Sequence, residues 1–345
     1  MQQVLDVILG NVETMGLPIW GNVILFAVGF LLLIKGGDWF VDGAESMARR
    51  FGMPELLVGA TVVAIGTTLP EVMVSAQGAM AGNGAIAFGN AIGSIVCNTA
   101  LIAAITLVVK PAVVDRKTIF LPAAAFFIAA AYYVITAYLF GEFSLLSGIT
   151  LLVMFVIYMV VTVMQMRRSN GLSDKTPETK QTKEEVPAQG SVLRDIFLLV
   201  VGALVIALGA RQLVGNTTIL AKAVGVPDSV IALTLVALGT SLPELVTAIT
   251  ALAKGHGALS LGNIIGANLF NLVLVSGVAI TITPDGQFTL ASAAPTAMTV
   301  DIPVALGAMA LLTLPPLITQ KLSRWQGAVL LCGYVAYCAF LVVGA

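Results

Sequence analysis

Apolar residues run along this chain in long blocks separated by short polar turns. The blocks fall near residues 18–40, 54–81, 85–109, 118–140, 143–166, 192–214, 227–253, 258–282, 296–319 and 325–344. A helix of roughly 20 apolar residues crosses a ~30 Å hydrocarbon core, so the pattern predicts an all-α integral membrane protein with ten transmembrane helices. One long polar stretch interrupts it, residues 167–191, rich in Lys, Glu, Thr, Ser, Pro and Gln. Such a composition buries no apolar area and predicts a flexible linker, too short to hold a folded regulatory domain. The chain thus divides into 1–166, a linker at 167–191, and 192–345, with five spans on each side.

Composition agrees with this reading: 58% of the 345 residues are hydrophobic and 10% are charged, which excludes an ordinary soluble domain. The net charge of −1 says little, but the placement of the charges is informative. Fourteen of the 17 basic residues fall on one side of the predicted spans, among them Arg49, Arg50, Lys110, Arg116, Lys117, Lys254, Lys321, Arg324 and those of the linker. Arg211 and Lys222 fall opposite, and Lys35 pairs with Asp38 near the end of the first span. The positive-inside rule then makes the linker side cytoplasmic and puts both termini outside. No Lys or Arg occurs in the first 34 residues, so no positively charged leader is expected. Cys97, Cys332 and Cys338 sit in apolar stretches without metal-ligand spacing and read as packing residues. His256, the one histidine, reads as a solvated residue of a cytoplasmic turn.

The two halves share a block. Residues 52–98 and 225–271 align without a gap at an offset of 173, and 18 of the 47 positions are identical. The identities fall mainly on Gly, Thr, Pro, Glu and Asn rather than on the Leu and Val that any two spans share, so the block is a duplication (the alpha-1 and alpha-2 motifs of the expected repeats). Five spans per half insert the copies in opposite directions, which places equivalent residues around a pseudo-two-fold axis near the bilayer centre. Glu71 and Glu244 are therefore expected to face one another.

Each acid closes a G-T-[TS]-L-P-E motif, and each copy continues to a G-N-x-x-G-x-x-x-x-N motif ending at Asn98 or Asn271. A proline inside a helix removes one amide donor, so Pro70 frees the carbonyl of Gly66 and Pro243 that of Gly239; helices 2 and 7 are expected to break there. Backbone irregularity at membrane depth is tolerated where protein or a wet cavity satisfies it. Thr67, Thr68, Thr240 and Ser241 add hydroxyls within a turn of each glutamate, and Asn98 and Asn271 add amide oxygens. Two carboxylates with oxygen donors alone suit hard cations such as Ca²⁺ and Na⁺, whereas Zn²⁺ or Cu⁺ takes His or Cys. One Ca²⁺ or two Na⁺ neutralise the pair. Charged groups at the bilayer centre cost at least ~2.5–3.5 kcal/mol on insertion scales, and an acid found there twice in the same motif predicts a cation pathway. Asn90 and Asn263, which follow glycines near span starts, read as structural. No H-E-x-x-H, Ser–His or G-x-G-D pattern is present, so no enzymatic activity is expected; nor is a cofactor or a nucleic-acid partner. A cation channel or a scaffold accounts less well for a duplicated acidic motif.

These paired motifs resemble the cation/Ca²⁺ exchanger superfamily, specifically its sodium/calcium exchanger branch of prokaryotic type, over essentially the whole chain. The resemblance implies a cell-membrane antiporter in which spans 1 and 6 slide across the remainder, commonly exchanging three Na⁺ for one Ca²⁺. It implies metal ligands from Glu71, Thr67, Thr68, Ser94 and Asn98 in the first copy. In the second it implies Glu244, Thr240, Ser241 and Asn271, with the carbonyls of Ala64 and Ala237 contributing as well. Two positions depart from the pattern. Ala267 stands where a hydroxyl matching Ser94 is usual, which bears on stoichiometry. Asn271 stands where potassium-dependent relatives and some prokaryotic exchangers carry Asp, which argues against K⁺ co-transport. Proton/calcium exchangers usually lack the L-P-E ending, so proton coupling ranks second.

Overall fold

A computed structural model describes residues 18–82, 84–173, 191–224, 237–284, 287–289 and 296–344. The protein is an all-α membrane protein with two small β pairings between its connections. Helix α1 spans Ile19–Arg50, and α2 comprises Glu55–Val58, a π segment Gly59–Val63, and Ala64–Met80. Helix α3 comprises Gly84–Val96, a π segment Cys97–Ala103, and Ala104–Val109. Helices α4 (Arg116–Phe140), α5 (Leu145–Ser173) and α6 (Val192–Ala223) follow. Helix α7 is split into α7a (Ala237–Thr240) and α7b (Leu242–Ala253). Helix α8 comprises Gly257–Phe270, a π segment Asn271–Val275, and Ser276–Ile282. Helix α9 opens with the π segment Ala297–Asp301 and continues as Ile302–Thr319, and α10 spans Arg324–Gly344.

Eight of the described helices are long and apolar enough to cross a membrane: α1 to α6, α8 and α9. Helix α7b is apolar but shorter, and residues 227–236 of the expected seventh span lie outside the described residues. Two expectations are corrected in detail. Helix α1 runs ten residues past 40, because its last three turns carry Asp38, Asp42, Glu45 and Arg49 on a helix that outlasts the apolar block. Helix α5 continues to Ser173, into the stretch expected to be linker; residues 174–190 lie outside the described residues.

Helices α1 and α6 pack antiparallel along glycines. A Cβ on Gly36 would stand 2.8 Å from the Ile206 amide nitrogen, and one on Gly202 would stand 2.7 Å from that of Phe40. Without side chains there, the two backbones approach directly, as membrane helices do through small residues. Their apolar side chains form a core of their own with Val58, Val63, Ala251 and Leu259. One end of the pair is fastened by Asp195, which is buried and accepts from Ser46 Oγ at 2.8 Å and Arg50 Nε at 2.9 Å. The main core lies among α2, α3, α4, α8 and α9, with Phe126, Phe143, Phe270 and Ile264 fully buried.

The strands join connections. Strand β1 (Ala112–Val113), after α3, pairs antiparallel with β4 (Lys321–Leu322), after α9. Strand β2 (Glu142–Ser144), after α4, pairs antiparallel with β3 (Gln287–Thr289), after α8.

His256 is not the solvated residue expected. It caps α8 between two acids, with Nε2 3.0 Å from Glu45 and Nδ1 3.1 Å from Glu55. The turn before α8 also sends Lys254 to Asp42 at 2.7 Å and Asp38 at 3.3 Å. An acidic last stretch of α1 draws these two side chains in, which single-sequence reading of a short polar turn does not show. Lys35 and Asp38 do approach, at 4.0 Å. Cys97 is buried, Cys338 half-buried and Cys332 exposed, all as free thiols.

Candidate cation site

Both glutamates lie in the interior and are fully buried, and the Glu244 charge is near enough to act on Glu71. The helices deliver them differently. In α7 the chain breaks at Ser241, and Pro243 occupies the first turn of α7b, where a missing amide donor costs nothing. Glu244 lies in that same first turn, next to helix N–H groups that favour a negative charge. Helix α2 does not break at Pro70, contrary to expectation. Its α-helical run Ala64–Met80 passes through the proline, and the irregularity lies earlier, in the π segment Gly59–Val63. Neighbouring protein absorbs the disturbance: the Tyr158 hydroxyl donates to the carbonyl of Ala60 at 3.0 Å.

The other polar groups expected at the site lie mostly in the interior too. Thr67, Thr68, Ser94, Asn98, Ser241 and Asn271 are all buried. Thr240 is half-buried and lines a cavity of about 500 Å³ between α2, α6 and α7, together with Pro70, Gln77, Arg211 and Pro243. The carbonyl of Ala64 receives the Thr67 hydroxyl at 3.4 Å, and Ala237 begins α7a. Asn98 and Asn271 occupy equivalent places in the two copies, and both lie in π segments, Cys97–Ala103 and Asn271–Val275. Such bulges recur at functional sites because they redirect side chains and loosen carbonyls. Sequence reading did not anticipate them.

What these groups lack is partners. Both carboxylate oxygens of Glu71 and of Glu244, both amide atoms of Asn98 and of Asn271, and the hydroxyls of Thr68 and Ser241 have no hydrogen-bond partner among the described residues. Thr67 lies beside Glu244, yet its bonds go to the carbonyl of Ala64 and to Asn263 Oδ1 at 3.2 Å. No described salt bridge reaches either glutamate. A buried carboxylate left so costs several kcal/mol, so this shell of oxygens is complementary to a cation. Among the described residues no cluster of three His, Cys, Asp or Glu is present; the site offers two acids supplemented by neutral oxygens.

Further polar side chains outside the expected ligand set are held in the interior. Thr247, one turn beyond Glu244, is fully buried with an unpartnered hydroxyl. Asn268 donates to Thr99 at 2.6 Å and to the Met309 sulfur at 3.1 Å. Asn90, read as structural, donates to the Glu71 carbonyl at 3.0 Å and to Ser75 Oγ at 2.9 Å. Asp301, buried on α9, accepts from Tyr337 at 2.9 Å and Thr296 at 3.1 Å. None of them belongs to a residue pattern shared by the two copies except Asn90, whose mate is Asn263.

The chain matches the family described as "Sodium/calcium exchanger protein" over residues 21–164 and 195–343. It is 30% identical to the sodium/calcium exchanger MaX1 of Methanosarcina acetivorans, covering 93% of this chain and 98% of that protein. It is 33% identical to an uncharacterised membrane protein of Methanocaldococcus jannaschii, covering 92% and 97%. Among solved structures it resembles the sodium-calcium exchanger NCX_Mj soaked with Na⁺ and Sr²⁺, at 32% identity and a TM-score of 0.74, covering 93% of this chain and 99% of that one. With its apolar helices and its paired acidic motifs, this chain belongs to the sodium/calcium exchanger family of membrane antiporters.

Proposed function

We propose that this protein exchanges Na⁺ for Ca²⁺ across a cell membrane through one central site, with Glu71 and Glu244 as the charged ligands. Thr67, Thr68, Ser94, Asn98, Thr240, Ser241, Asn271 and the carbonyls of Ala64 and Ala237 complete the oxygen shell. The observation that carries this reading is the pair of buried carboxylates with no partner. The two ions have similar radii and compete for the same oxygens, whereas Mg²⁺ demands tighter octahedral geometry. An empty site leaves two anions together away from water, so closing around it is costly. Loaded forms are nearly neutral and change access readily. Obligatory exchange, rather than leak, follows from that difference.

The ten-span, inverted-repeat topology belongs to the same proposal. It is supported by the strand pairings: β1 with β4 and β2 with β3 join connections that the topology assigns to the same face. The α1–α6 pair, zipped by glycines and holding a core of its own, is suited to move as one body against the rest. The basic residues put the linker inside. A 3:1 exchange carries one net charge, worth ~2.3 kcal/mol per 100 mV, and inward Na⁺ then drives Ca²⁺ out.

Flux into proteoliposomes, with Na⁺, K⁺ and H⁺ gradients imposed separately against ⁴⁵Ca²⁺, tests the coupling ion. A Na⁺ gradient alone is expected to drive uptake; uptake driven by H⁺ alone would replace this reading with proton/calcium exchange. Glu71→Gln and Glu244→Gln are each expected to abolish exchange while the protein still inserts and purifies as a folded species. Retained flux in either variant overturns the site. Protons compete with cations for the same carboxylates, so the Ca²⁺ concentration for half-maximal uptake should rise as pH falls from about 8 to 5; a flat profile counts against a carboxylate site.

A further inference from the structure

Asn263 stands at a position the duplication makes equivalent to Asn90, yet the two amides do different things. Asn90 turns its nitrogen to the Glu71 carbonyl and to Ser75. The second copy has Ala248 where the first has Ser75, so that anchor is missing for Asn263. Instead Asn263, fully buried on α8, presents Oδ1 to the Thr67 hydroxyl of α2 at 3.2 Å. Its nitrogen has no partner among the described residues. The contact crosses between the two motif copies, from the second back to the first.

We propose that Asn263 is a positioning residue that turns the Thr67 hydroxyl into a cation ligand. The proposal rests on the reading of Thr67 and Glu244 as parts of the cation site. A hydroxyl has one proton and two lone pairs. Beside a bare carboxylate, the Thr67 proton would turn to Glu244 and aim positive charge at the place a cation must occupy. An acceptor on the opposite side draws the proton away and leaves a lone pair facing the site. Asn263 Oδ1 is that acceptor, stronger by geometry than the Ala64 carbonyl at 3.4 Å.

The backbone holds Asn263 where this requires. A Cβ on Gly59 would lie 2.8 Å from the Asn263 amide nitrogen and 2.3 Å from the Leu259 carbonyl. A Cβ on Gly262 would lie 2.1 Å from the Leu56 carbonyl. Helix α8 therefore rests directly on the start of α2, two turns before Thr67, and Asn263 is carried in register with its partner.

The test is a double-mutant cycle on ion affinity in proteoliposomes. Asn263→Leu, close in volume but without an acceptor, should raise the half-saturating Na⁺ and Ca²⁺ concentrations about fivefold, the worth of one hydrogen bond, with little change in maximal rate. Thr67→Ala should raise them at least as much. In the Thr67→Ala background, Asn263→Leu should add nothing, because its effect runs through that hydroxyl. Asn263→Asp, which keeps the acceptor oxygen, should not weaken binding. Independent, additive losses from Asn263→Leu and Thr67→Ala would overturn the positioning role while leaving the site intact. No loss from Thr67→Ala would overturn both the role and the placement of Thr67 in the site. Melting temperatures of the purified variants separate these outcomes from a folding defect: a loss of affinity that follows a fall in melting temperature, and is equal in both backgrounds, also overturns the proposal.

Discussion

The two copies of the duplicated block agree in chemistry and differ in backbone. Each has one buried glutamate, a pair of hydroxyls before it and a buried terminal asparagine in a π segment. Around the acid, however, the first copy passes through its proline as continuous helix, and the second breaks at Ser241. The same Pro-Glu dipeptide therefore does not dictate a break. In the first copy Tyr158 of α5 supports the π segment ahead of the proline and Asn90 of α3 binds the Glu71 carbonyl just after it, and the chain continues. The copies differ as well in the residues beside the acid: Val74 and Ser75 in the first stand where the second has Thr247 and Ala248. Both copies keep the glutamate, the hydroxyl pair before it and the terminal asparagine, while the residues beside them differ.

The contrast is sharpest at one glycine. Gly262 opens the second G-N-x-x-G motif, and its missing Cβ would lie 2.1 Å from a backbone carbonyl of α2; Gly89, its mate, has no described atom within 4 Å of the same position. Gly262→Ala should thus destabilise the protein by more than about 3 kcal/mol, since backbone rather than a flexible side chain must yield. It is expected to give little folded protein on size exclusion in detergent. Gly89→Ala should be nearly neutral in melting temperature, or even slightly stabilising through helix propensity. An equally large loss at Gly89 would break the comparison.

Much of this was legible in the chain beforehand, for identifiable reasons. The starts and ends of α2, α3, α4 and α8 fall within two residues of the apolar blocks, because charged or Gly-rich turns close those blocks sharply. The end of α1 was not legible, since an amphipathic helix outlasts the membrane-spanning block that predicted it. The pairing of Glu71 with Glu244 as candidates came from the duplication alone, which is long-range information that propensities do not carry; both acids are buried. The ties of His256 and Lys254 to α1 were invisible, because they depend on which turn lies beside which helix end. Asn263 was likewise underrated: two asparagines in one motif look alike in sequence, and only tertiary contact shows that one serves a backbone carbonyl and the other a ligand hydroxyl.

A smaller effect tests whether the copies contribute unequally to the site. Ser94 is buried in the first copy, and its mate Ala267 is fully buried in the second, so one side of the shell lacks an oxygen. Ala267→Ser restores it and Ser94→Ala removes its counterpart, making each copy resemble the other. If Ser94 ligates Na⁺, Ser94→Ala should raise the half-saturating Na⁺ concentration about fivefold, near the worth of one hydrogen bond, with less effect on Ca²⁺ uptake at low Na⁺. Ala267→Ser should lower the half-saturating Na⁺ concentration and, if the missing hydroxyl limits the number of ions bound, move the Na⁺:Ca²⁺ ratio upward. The ratio is read from the reversal potential of exchange in proteoliposomes with clamped membrane voltage, because each added Na⁺ adds one charge to the cycle. An unchanged reversal potential with improved Na⁺ affinity would mean that the second copy already completes the shell with other oxygens, of which the unpartnered Thr247 hydroxyl is the nearest along the chain to Glu244. Combining Ala267→Ser with Thr247→Val then decides the matter: affinity that falls back to the starting value assigns the missing oxygen to Thr247, and affinity that stays high leaves the asymmetry with Ala267.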